Sequence, residues 1–252
     1  MDFTVKKYCQ LLDALKASGL SFKLRHDVDL LPANSLRTAQ LEEERGLTAT
    51  YYFRCVPESY DPVIIKQIAS LGHEIGYHYE SLTTCGGNLE EAYHDFCGNL
   101  EKLRQLAPIH SICMHGSPRS PWDSRDLWKH YDYHSLGIDF EPYLDTDFSD
   151  KLYLTDTGRR WDGYHVSLRD KIPQYQDLWD SQGLTFHSTD QIIGQLLDPS
   201  SRLRQAGKTL LITTHPQRWN PFGLRYCREY CTQTLKNVVK HYIIRKNKKN
   251  TQ

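Results

Sequence analysis

Between about residues 21 and 224, short apolar runs alternate with segments of helical period, and glycine or proline marks most junctions. Ser21-Phe22-Lys23-Leu24 alternates as a strand does and leads into Arg25-His26-Asp27-Val28-Asp29. Pro32 and Asn34 open a helix to about Arg45 that Gly46 closes, and the β-branched and aromatic run 48–54 follows as a strand. Asp61-Pro62 begins a helix carrying Val63, Ile64, Ile65, Ile68 and Leu71; Gly72 ends it, and HEIGYHYE is the next strand. A long helix over 89–106 is broken by Pro108, and 109–114 makes a strand stopping at His115. A helix over 191–204 and Gly207-Lys208 then lead to the apolar strand 209–214, which ends at His215, and a last helix starts near Leu224. This alternation predicts an α/β fold: a parallel sheet with helices packed outside it, as a closed or partly closed barrel or an open doubly wound sheet.

In either arrangement, function gathers at the carboxyl ends of the strands. Asp27 with Asp29, His78 with Glu80, His115, and His215 fall at the ends of four different predicted strands, so they are expected to converge. Asp27 and Asp29, two apart, share a face, where they repel each other unless a metal ion or a proton stands nearby or the pair lies in open water. His78 and Glu80 also share a face at a strand exit. Imidazole with carboxylate suits zinc and related divalent ions, although an isolated pair of this kind reads as an ordinary hydrogen bond. His73, five residues before His78, points the other way at the strand's entrance and reads as structural. His215, delivered by an apolar strand and followed by Pro216, reads either as a rim imidazole or as a capped core histidine. Arg160-Trp161 and Arg218-Trp219 pair a guanidinium with an indole, as sugar and carboxylate pockets do, with surface packing as the plain alternative.

Lys plus Arg equals Asp plus Glu at 31 each, so no net field favours nucleic acid or an acidic membrane. A basic stretch over 236–249 reads as a tail whose last residues are frayed and solvated. Seven scattered cysteines without a CxxC argue against a disulfide framework and for a reducing compartment. The first twenty residues have helical spacing interrupted by charges, neither signal peptide nor membrane span, so a soluble cytoplasmic protein without a transmembrane segment is expected. Serine-hydrolase, P-loop and dinucleotide motifs are absent. With no linker or repeat, the chain reads as one domain over 1–252, its core about 20–220 and its C-terminal helix and basic tail over 224–252.

RHDVD, GHEIGYHYE, HGSP and HPQRW, in that order, make the chain similar to polysaccharide deacetylases of the NodB homology type, a carbohydrate esterase family 4-like group. The branch it most resembles is that of O-antigen and capsule loci. The resemblance implies a distorted (β/α) barrel of about seven strands. It also implies a divalent metal, usually zinc, and hydrolysis of an N-acetyl or O-acetyl group on a sugar, as part of surface-polysaccharide biosynthesis. Acetylated, nucleotide-linked or lipid-linked sugars are the implied substrates. By motif, Asp27 matches the catalytic base, Asp29 the metal-binding aspartate, His78 the first metal histidine, and His215 the catalytic acid. The arginine-containing third motif falls near 115–118 and the tryptophan motif near Arg160-Trp161. The family's second metal histidine, four residues after the first, is Leu82 here. Leucine cannot ligate, so His115 or Glu80 completes the site, His115 having the better placed strand, or else metal binding is lost. A metal-free sugar-binding protein and an amidohydrolase acting on a small amide are the rival readings.

Overall fold

The structure, a computed structural model, describes residues 1–117, 120–165, 167 and 169–249. In chain order its first elements are α1 (Val5–Ser18), β1 (Phe22–Val28), α2 (Pro32–Glu43), β2 (Ala49–Phe53), α3 (Pro62–Ser70), β3 (Glu74–Tyr79), α4 (Ser81–Thr84), α5 (Leu89–Arg104) and β4 (Ile112–Met114). Then follow β5 (Lys151–Thr155), α6 (Pro173–Ser181), α7 (Thr189–Leu197), α8 (Arg202–Gln205), β6 (Thr209–Thr214) and α9 (Leu224–Lys249). The chain forms two compact units, one of Arg25–Thr146 and one of Met1–Leu24 with Asp147–Gln252. One crossing between them lies inside β1, between Leu24 and Arg25, which is why no linker composition marks it.

Within Arg25–Thr146 the strands run in the order β4-β3-β2-β1. In the other unit β5 pairs with β6, and Leu210 on β6 donates its N–H to Ser21 O at 2.9 Å, just before β1. β2 with β3, β3 with β4, and β5 with β6 are parallel pairs. The α/β class follows the sequence reading, with six strands among the described residues where the resemblance implies about seven. The helix expected over 191–204 is two helices, because Pro199 follows the end of α7 and cannot continue it. α9 extends to Lys249, through the whole of the basic stretch, including the last residues expected to fray. Pro118 of the HGSP motif and residues 250–252 lie outside the described residues. Among the described residues no helix is long and apolar enough to cross a membrane.

In Arg25–Thr146 the two faces of the strands divide the chemistry. One face packs on helices through a buried polar bolt: His26 Nε2 on β1 lies 2.7 Å from Glu42 Oε1 on α2, and Tyr51 on β2 donates its hydroxyl to Glu42 Oε2 at 2.6 Å. His73 joins this layer as a structural imidazole. Its Nδ1 accepts the Ala49 N–H at 3.2 Å and its Nε2–H donates to Ala39 O at 3.0 Å, which is the neutral tautomer. Burial is the largest influence on His73 and holds its pKa below the ordinary imidazole value, against the opposing pull of Glu42.

The other face carries Arg25, Asp27, Tyr52, Gly76, His78 and Cys113. Register sets Tyr52 beside Gly76, and a Cβ on Gly76 would overlap the Tyr52 ring and lie 3.1 Å from Ser111 O. Glycine here lets the tyrosine ring lie across β3 just ahead of His78. Gly76→Ala is expected to destabilise the protein by about 1–3 kcal/mol through this overlap, as read by urea unfolding.

A second expectation concerns pH. Since His73 has a lowered pKa when folded, the unfolded chain takes up its proton first. Its contribution to stability is full above about pH 6.5 and is lost as the pH falls below that value. Unfolding midpoints should therefore decline on acidification, and His73→Gln should flatten that decline; an unchanged slope would show that His73 is not its source.

Candidate metal centre

β1, β3 and β4 deliver the polar groups to one end of Arg25–Thr146. Asp27 stands near the end of β1, and the chain bends at once, the Asp29 N–H bonding Asp27 O at 3.2 Å. On β3, His78 is paired in register with Cys113, whose carbonyl oxygen lies 2.9 Å from His78 Nδ1. A carbonyl only accepts, so Nδ1 carries the hydrogen, and in the neutral ring Nε2 holds the lone pair. His115, the first residue after β4, has Nδ1 2.8 Å from Glu80 Oε2 and turns its own Nε2 the same way. Both Nε2 atoms lie 3.6 Å from Asp29 Oδ1.

Asp29, His78 and His115 thus offer three donor atoms that all lie within 4.8 Å of one another. Four-coordinate zinc, with bonds of about 2.0–2.2 Å, separates its ligand atoms by roughly 3.4 Å, so the two 3.6 Å spacings fit such an ion with little movement. The side chains of Asp29 and His115 are 21% and 16% exposed against 2% for His78, which sets the open side of the cluster. Burial pushes the His78 imidazole towards the neutral form, but the Asp27 and Asp29 carboxylates outweigh it and raise its pKa.

Asp27 lies beside the cluster, Oδ2 being 4.0 Å from His78 Nε2. Arg25 clamps it with two hydrogen bonds, Nε to Oδ1 at 3.0 Å and Nη2 to Oδ2 at 2.9 Å, and Nη2 also donates to Tyr143 Oη at 3.0 Å. Asp27, His78 and Cys113 form a second group of possible donors, but there the aspartate is already matched by this guanidinium. Leu82, in the position of the family's second metal histidine, is buried in α4. Of the two candidates to replace it, His115 is in the cluster and Glu80 stands behind it. Arg54 holds Glu80 Oε1 through Nε at 2.8 Å and Nη2 at 2.5 Å. Burial would raise the Glu80 pKa, yet the hydrogen bond with His115 and the charge of Arg54 prevail and hold it at about 2.

His215 belongs to the other unit and follows the last residue of β6. Its Nδ1 is 2.6 Å from Asp156 Oδ1, and its backbone N–H bonds Asp156 Oδ2 at 3.0 Å. Asp156, the residue after β5, is buried, which alone would raise its pKa; Arg218 and His215 reverse the effect and lower it. Arg218 Nη1 donates to Asp156 O and Oδ1, each at 2.8 Å, and Trp219 Nε1 donates to Oδ2 at 2.8 Å. Arg218 Nη1 also lies 2.8 Å from His215 Nδ1, so Asp156 and Arg218 together hold the imidazole through that nitrogen.

Trp161 and Trp219, read as pocket indoles or as surface packing, are in the core, as are the tyrosines of the GHEIGYHYE strand. Tyr77, Tyr79, Trp161 and Trp219 are all buried, at 2%, 0%, 5% and 1% exposure. Trp161 bonds Thr189 Oγ1 at 2.8 Å and packs with Phe3 and Trp219, while Arg160 forms a paired contact with Asp162 at 2.8 and 2.9 Å. Large indole and phenol rings contribute more apolar area than any other side chain, and here the core takes them. Arg218 and Trp219 serve Asp156. The groups that motif reading passed over, Asp156 and Arg54, each stand one residue beyond a strand, the same signal that singled out His115 and His215.

Comparison with known proteins finds no family model and no curated protein that matches this chain. Metal titration of the purified protein is expected to give one divalent ion per chain. Asp29→Ala should lower its affinity by at least about 100-fold, whereas Asp27→Asn should leave it within a few-fold. Equal losses in the two variants would overturn the division between ligand and neighbour.

Proposed function

We propose that this chain is a divalent-metal hydrolase that removes the acetyl group from an N-acetylated or O-acetylated sugar in the synthesis of a surface polysaccharide. The observation that carries the reading is the convergence of Asp29, His78 and His115 on one point, with the clamped carboxylate of Asp27 beside them. Two imidazoles and a carboxylate form the donor set of many hydrolytic zinc sites. A divalent cation held there supplies a water of lowered pKa and polarises the acetyl carbonyl.

Asp27 is the base. Held in place by the two hydrogen bonds from Arg25, it takes the proton that the attacking water gives up. The acetyl carbon–nitrogen bond then breaks, or the carbon–oxygen bond of an ester, and the departing atom needs a proton. The family resemblance assigns that donation to His215, whose ring is held through Nδ1 by Asp156. Acetate and the free sugar amine or alcohol are the products. The distorted seven-stranded (β/α) barrel belongs to the same proposal, as do cytoplasmic nucleotide-linked or lipid-linked sugars as substrates. Burial of the four aromatic side chains favours one second reading, an amidohydrolase acting on a small amide, because no stacking platform for a sugar comes from them.

The decisive assay follows acetate release from N-acetylated hexosamine oligomers and from their nucleotide-linked monomers, with small N-acetyl amides in parallel. Chelator-sensitive release from the sugars is expected. His215→Ala should lower kcat by about 10²–10⁴-fold with metal content unchanged. Release from the small amides alone would transfer the assignment to the second reading, and no metal-dependent release from any of them would overturn the proposal.

A further inference from the structure

Glu80 and Arg54 have no part in the reaction just described, yet they are bound to the cluster at two points. Arg54 follows β2, which lies between β1 and β3. Its Nη1 donates to the Asp29 backbone oxygen at 3.2 Å, while Nε and Nη2 grip Glu80 Oε1. The other oxygen of Glu80 receives His115 Nδ1 at 2.8 Å. One guanidinium therefore ties the backbone of one donor residue to the carboxylate that orients another. Side-chain exposures of 19% for Arg54 and 15% for Glu80 leave the pair partly screened from water, where a charged hydrogen bond keeps much of its strength.

We propose that Glu80, braced by Arg54, is the positioning residue that makes His115 a metal ligand and so replaces the histidine missing at Leu82. The proposal rests on the metal site described above and adds to it the means by which a residue outside the usual motif spacing is recruited. A carboxylate can only accept from His115, so it selects the tautomer with hydrogen on Nδ1 and a lone pair on Nε2. It also increases the basicity of that lone pair. Arg54 occupies the other Glu80 oxygen, which keeps this carboxylate from competing for the cation itself.

The test is a double-mutant cycle read by metal affinity and by the visible absorption of the Co2+-loaded protein. Glu80→Gln preserves shape and can present its amide N–H to Nδ1, which opposes the ligating tautomer. It is expected to weaken Zn2+ and Co2+ binding by about 10–100-fold and to change the Co2+ spectrum. In a His115→Ala background the same substitution should change affinity by less than ~2-fold, since nothing remains for it to orient. Arg54→Lys keeps the charge but loses the fork, and should show the same dependence on His115 with a smaller effect. Thermal unfolding of each variant establishes that it is folded, and the Arg54→Lys cycle decides the matter should Glu80→Gln fail to fold. Equal losses with and without His115, or no loss in either, would overturn the inference and leave the metal site standing. A wild-type chain that binds neither ion would overturn both.

Discussion

Asp27 and Asp29, the two carboxylates at the exit of β1, repel each other unless a cation, a proton or open water offsets their charge. Arg25 offsets that of Asp27, with two hydrogen bonds. The side chains aimed at Asp29 Oδ1 are two imidazoles at 3.6 Å, with their other nitrogens held by Cys113 O and Glu80. On the proposed reading these three groups would hold a cation, and the proposed roles of Asp27, Glu80 and Arg54 follow from where each stands relative to it.

The fold meets the requirement through register. Parallel pairing puts His78 beside Cys113 and therefore sets the hydrogen bond that orients its ring. Gly76 admits the Tyr52 ring on the same face, and Arg25 lies over that ring with its guanidinium carbon 5.8 Å from the ring centre. On the opposite face the His26–Glu42–Tyr51 bolt fastens β1 and β2 to α2. Because side chains alternate along a strand, holding His26 on the helix side sets Asp27 on the other. Buried polar pairing on one face thus places the Asp27 carboxylate on the other.

Much of this was legible from strand ends. The apolar run at 209–214 stops where β6 does, and Asp27, Asp29, His78 and His115 do meet in one cluster. His73 is structural for the reason that the odd spacing gives, and its two backbone hydrogen bonds say why. Three things escaped. β5 is a five-residue strand, LYLT with a lysine before it, too short to stand out from its polar surroundings. With β5 unseen, Asp156 had no strand to end. Single residues cannot show whether a tryptophan faces a groove or a core, so Trp161 and Trp219 read as sugar-binding although both pack against Phe3. His115 was preferred to Glu80 for its strand, and Arg54, distant in sequence, adds the reason by drawing the Glu80 carboxylate away from the donor position.

The central claim is that a divalent ion is held by Asp29, His78 and His115 and by no other protein group. Anomalous diffraction at the zinc edge, from crystals of the zinc-loaded protein, tests it directly. The expected result is one peak about 2.0–2.2 Å from Asp29 Oδ1 and from the Nε2 atoms of His78 and His115. A peak coordinated by Glu80 or Asp27 in place of His115, or no peak at this end of β1, β3 and β4, would contradict the account.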